Sequence, residues 1–90
     1  MSEYSDLQAR KRQLQDEIRG FRMSIEELRE RKKQTHRNDR ETHTDLWVAI
    51  GTQKYNISQR YDELAEIERQ FERLNMEAAE RRARKARRQE

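Results

Sequence analysis

The chain has 90 residues, of which 31% are hydrophobic and 43% are charged, with no proline and no cysteine. That composition excludes a thick globular core built from this chain alone. With glycine only at positions 20 and 51, it also excludes a fold that needs turn chemistry about every ten residues.

Low hydrophobicity with many charges also marks disorder, but here the apolar residues are periodic rather than scattered. In the first half they fall at Tyr4, Leu7, Leu14, Ile18, Phe21, Ile25 and Leu28, with Lys11 filling one slot of an alternating three-four spacing. That spacing is a heptad seam and predicts a helix over about 4–36, roughly 50 Å long. Gly20 lies off the seam and costs about 1 kcal/mol of helix propensity, which a long packed helix tolerates.

Residues 35–44 are wholly polar and hold poor helix formers, so a turn is expected over about 37–44, with Thr44 or Asp45 as the next N-cap. A second stripe follows at Ile50, Ile57, Tyr61, Leu64, Ile67, Phe71, Leu74 and Ala78. Its three-three step from Tyr61 through Leu64 to Ile67 reads as a local slip out of heptad phase. The reading is a helical hairpin over 1–78, with its second helix from about 45 to 78, followed by an arginine-rich helical extension or tail over 79–90. Gly51 and the β-prone run 46–50 allow an interruption between Gly51 and Ser58, with Ser58 capping a fresh helix.

If the chain folds back, a register in which paired residue numbers sum to about 82 matches Leu7 with Leu74, Leu14 with Ile67, Ile18 with Leu64, Phe21 with Tyr61 and Ile25 with Ile57. Its centre is residue 41. The alternative is a single long helix of about 130 Å in a parallel coiled coil. Two helices do not enclose Phe21, Tyr61, Phe71 and Trp47 on all sides. The expected fold is therefore an all-α antiparallel helical hairpin, completed by a second copy as a homodimeric four-helix bundle. Its oligomer seam comprises Leu7, Leu14, Ile18, Phe21, Ile25 and Leu28 with Ile57, Tyr61, Leu64, Ile67, Phe71 and Leu74.

Two features point to partners. Leu46, Trp47, Val48, Ala49 and Ile50 do not all face one seam, because five residues cover the full circle of a helix. Leu46, Trp47 and Ile50 are the candidate anchor for a protein partner. The net charge of +3 is carried entirely by the far end: residues 77–90 hold six cations and three anions, while residues 1–76 hold 15 of each sign. Spacing of three to four sets Arg81, Arg84, Lys85 and Arg88 along one side of a helix, with Arg82 and Arg87 beside them. Arginine outnumbers lysine five to one there, which suits bidentate pairing with phosphate. The stretch resembles the arginine-rich RNA-binding peptides of phage antiterminators, and the resemblance implies a basic helix that folds into an RNA groove. An acidic protein surface is the other ligand such a tail accepts. A second basic cluster of Arg29, Arg31, Lys32, Lys33, Arg37 and Arg40 sits near the turn, where a solvated helix face is the ordinary outcome.

For chemistry the chain offers little. His36, Asp39 and His43 have helix-like spacing of three and four, a weak metal-site signal in a polar stretch, and no metal or cofactor is expected. No serine has a histidine at recognisable spacing, no glycine-rich phosphate loop exists, and the carboxylates are interleaved with arginines as solvated helix pairs. An enzyme is not expected. Without a long apolar run or a signal region, the protein reads as soluble and cytoplasmic. The expected function is a non-enzymatic interaction protein, a scaffold, adaptor or inhibitor. The alternatives are a nucleic-acid-binding protein or a small phage-type inhibitor of a host machine.

Overall fold

Ser2 opens the first helix by accepting a hydrogen bond from the Ser5 amide on its side chain at 3.1 Å, which satisfies one of the free N–H groups of the first turn. Helix α1 then runs over Glu3–Gln34, with Glu3 and Asp6 near its positive end and Arg31, Lys32 and Lys33 near its negative end. It stops at Thr35, whose extended backbone breaks the spiral and whose hydroxyl donates to the Arg31 carbonyl at 2.7 Å. The computed structural model describes residues 2–89, and over these the chain is two helices joined by one turn.

That turn is shorter than the sequence reading. It spans residues 35–39, and helix α2 covers Arg40–Gln89, so its start lies five residues before the predicted one. The reason is Asp39. Its carboxylate accepts from the Thr42 amide at 3.1 Å and its carbonyl accepts from the His43 amide at 3.1 Å, so Asp39 caps the helix instead of Thr44 or Asp45. Downstream, α2 passes through Gly51 and Ser58 without a break. Residues 79–89 continue the same helix.

The helices pack antiparallel. Ion pairs cross between them from Glu3 to Arg73, Arg10 to Glu63 (2.7 Å), Lys11 to Glu68 (2.8 Å) and Glu17 to Arg60 (2.9 Å), and the Tyr4 ring meets Phe71 edge-on at 5.2 Å. With Arg60 over Phe21, Lys11 over Phe71 and Arg22 on Tyr61 included, the numbers of the residues in contact across the pair sum to between 73 and 83, a range that includes the expected 82.

Burial also redraws the second stripe. Leu46, Ile50 and Ile67 are buried, Ile57, Arg60, Leu64, Phe71 and Leu74 are half-buried, and Tyr61 is exposed. The seam on α2 therefore runs 46, 50, 53, 57, 60, 64, 67, 71, 74, 78, with strict four-three alternation and no slip at Tyr61. Arg60 holds the slot expected for Tyr61. Its guanidinium lies 5.3 Å from the Phe21 ring and reaches Glu17, so the stem packs while the charge stays at the rim. Tyr61 instead accepts from Arg22 at the edge of the pair.

The core is thin. Leu14, Ile18, Ile25, Leu46, Ile50 and Ile67 are the buried hydrophobic side chains among the described residues, and Leu14 alone is fully enclosed. With 32 residues α1 is about 48 Å long and with 50 residues α2 is about 75 Å long. The molecule measures 79 × 17 × 16 Å, because α2 continues past the Glu3 and Arg73 pair with no helix beside it. No helix among the described residues is long and apolar enough to cross a membrane.

Candidate interaction sites

Of the proposed anchor, Leu46 and Ile50 turn inward at 7% and 8% exposure, because both occupy heptad slots facing α1. Trp47 points outward and is 67% exposed. Two residues outside the expected anchor join it: Val48 at 54% and Tyr55 at 64%. Trp47, Gly51 and Tyr55 are spaced by four, so they share one face of α2 over two turns. Together with Arg29 and Lys32 of α1 and Lys54 of α2 they line a shallow cleft near the turn. One sequence signal would have found it. Residues 46–59 contain a single charged residue, Lys54, in a chain that is 43% charged.

The arginine-rich end lies at the other extreme of α2. All of Arg81, Arg82, Arg84, Lys85, Arg87 and Arg88 are exposed, and Arg81, Arg84, Lys85 and Arg88 line one common surface, as their spacing predicts. Among the described residues opposite charge there is sparse. Arg84 approaches Glu80 at 4.0 Å, and Arg82 donates to the Ala78 carbonyl at 3.3 Å rather than to a carboxylate. Like charges three and four residues apart destabilise a helix slightly, so this face gains helicity from any anion that neutralises it. From Trp47 to Arg84 the helix climbs 37 residues, about 55 Å.

The remaining candidates sit in the turn and the seam. His36 accepts from the Asn38 amide at 3.1 Å, and Asp39 is engaged as the α2 cap. Hydrogen bonds from Thr42, through its side chain and then its amide, hold the Asp39 carboxyl below the usual aspartate range. The Nε2 atom of His43 is buried without a hydrogen-bond partner, as is Oε1 of Gln53 in its seam slot. Among the described residues, His36, Asp39 and His43 do not form a metal-binding group. Near the far end of the pair, Glu66 is also held below the usual carboxylate range, chiefly by its hydrogen bond from Arg69.

Comparison with protein-family models, with curated proteins and with solved structures gives no match to this chain.

Proposed function

We propose that this chain is a non-enzymatic interaction protein, an adaptor or scaffold that holds two different ligands at opposite ends of one rigid helix. The observation that carries the reading is the layout of α2. Its apolar seam is engaged by α1, an aromatic face without carboxylates remains open beside the turn, and a cationic face remains open on the overhang. A helix that long acts as a spacer, fixing two binding ends about 50 Å apart. Leu7, Phe21, Leu28, Ile57, Leu64, Phe71 and Leu74 stay half-buried in the lone hairpin, which supports pairing with a second copy as a four-helix bundle.

The test is capture from extract of the source cells on immobilised full-length chain, with and without nuclease. Replacing Trp47 and Tyr55 by alanine is expected to remove one set of partners. Replacing Arg81, Arg84, Lys85 and Arg88 by alanine is expected to remove another. If both variants capture everything the native chain captures, the adaptor reading fails.

A second reading gives the cationic end to nucleic acid, favoured by four cations on one face with little opposite charge beside them. It predicts RNA or DNA binding that weakens steeply with salt, and a shallower salt slope once the chain is cut after Ala79. An unchanged slope in the truncated chain rejects it.

A further inference from the structure

We infer that the cleft between Trp47 and Tyr55 is a docking site for an acidic amphipathic helix of a partner protein. The inference rests on the adaptor reading and gives its turn-proximal end a ligand chemistry. Gly51 lies one helical turn from each aromatic ring, and a Cβ added there would meet nothing within 4 Å. Bare backbone thus floors the space between two large exposed side chains, and an apolar side chain from outside can approach closely.

The rim is cationic. Arg29, Lys32 and Lys54 border the cleft and no carboxylate lines it. None of these three is in an ion pair among the described residues, whereas Arg10, Lys11, Arg60 and Arg73 each hold a carboxylate across the helix pair. Over residues 1–76 the two signs balance, so a carboxylate-free rim is a local arrangement and not a consequence of overall charge. An apolar floor inside a cationic rim is complementary to apolar side chains flanked by Asp or Glu.

A helix is the form of partner that fits. The described residues contain no strand edge for an extended peptide to pair with, and a helix arrives with its own backbone hydrogen bonds satisfied. The stretch from Trp47 to Tyr55 spans about 12 Å, the length of two to three helical turns. A second copy of this chain is a poor occupant. A two-fold contact through this face would set three cations of one copy against the same three of the other.

Trp47 is the only tryptophan, so its emission reports the cleft directly. The probes are two acetylated 14-residue helical peptides without aromatic residues, both with leucine on one face, one with glutamate and the other with lysine on the opposite face. Added to the full chain, the glutamate peptide is expected to shift Trp47 emission to the blue and to saturate. The lysine peptide is expected to bind at least tenfold more weakly. The triple variant Arg29→Glu, Lys32→Glu, Lys54→Glu, which alters only rim residues, should invert that order. Val48→Asp should abolish glutamate-peptide binding, with helix content checked by circular dichroism.

Equal affinity for the two peptides overturns the inference, and so does a charge-reversed variant that still prefers glutamate. A twelve-residue oligo(dT) that quenches Trp47 at lower concentration than the peptide assigns the cleft to single-stranded nucleic acid and also overturns it. A blue shift on raising protein concentration alone, with a doubled mass, assigns the cleft to a second copy with the same consequence. The capture experiment keeps the two proposals apart. If partners lost on replacing Trp47 and Tyr55 are insensitive to rim charge reversal, this inference falls and the adaptor reading stands.

Discussion

Asp39 shows how much of this fold turns on one side chain. The polar run 35–44 has several residues able to start a helix, and the sequence reading favours Thr44 or Asp45 because the apolar stripe begins just after them. Asp39 prevails because its carboxylate meets the Thr42 amide, which brings residues 40–44 into α2 and shortens the turn. Hydrogen bonding from Thr42 lowers its pKa from the ordinary value of 3.8, so the ionised cap favours the folded state. That contribution is complete above pH 3.8 and is lost as the pH falls through the lowered value. An asparagine at this position would still accept a hydrogen bond but carries no charge. Thermal melts of the native chain and of Asp39→Asn should therefore differ at pH 7 and converge near pH 2, and a constant difference across that range would refute the assignment. The residue scale also limits what is legible in the sequence at the seam. Arg60 and Gln53 hold heptad slots in the structure, but polar residues are invisible to a search for apolar spacing, which passes through Tyr61 instead.

At the scale of elements, the existence and type of both helices are legible because their stripes are long, whereas their boundaries are not. The turn residues belong to neither stripe, so periodicity does not say which of them caps α2. The glycines illustrate the same limit. Gly51 beside a β-prone run suggests a break, yet α2 continues through it, because packing of Leu46 and Ile50 against α1 outweighs a propensity cost of about 1 kcal/mol. Beyond its own chain neighbours and local helix backbone, neither Gly20 nor Gly51 has an atom within 4 Å of where a Cβ would stand, and neither has positive φ. Gly20→Ala and Gly51→Ala should each stabilise the hairpin by about 1 kcal/mol, raising its melting temperature by about 4–8 °C. A lower melting temperature for Gly51→Ala, with Gly20→Ala raised, would mean that the cleft region depends on the missing side chain.

For the whole molecule, the overhang makes the mode of assembly readable from shape. The hairpin has a longest axis of 79 Å, of which about 20 Å is the unpaired end of α2 after Arg73. If two hairpins paired side by side with their turns together, both overhangs would project from the same end. Six cations from each copy would then face one another within a few Debye lengths, each about 8–10 Å at physiological salt. Pairing with turns at opposite ends keeps the cationic helices apart and leaves the neutral bodies in contact, where half-buried Phe21, Ile57 and Leu64 need cover. The proposed dimer should therefore be antiparallel, twice 11.1 kDa in mass and about 100 Å long, the shared body with one overhang at each end. Sedimentation equilibrium gives the mass and small-angle scattering the length. A length near 79 Å at dimer mass would reverse the orientation, and a mass of 11.1 kDa at high concentration would remove the dimer altogether. In the antiparallel arrangement each copy's cationic end points away from the other's, so one dimer offers two cationic sites about 85 Å apart, with the two aromatic clefts between them. Bivalent capture of a long polyanion by the intact dimer, but not by a chain cut after Ala79, follows from that geometry alone.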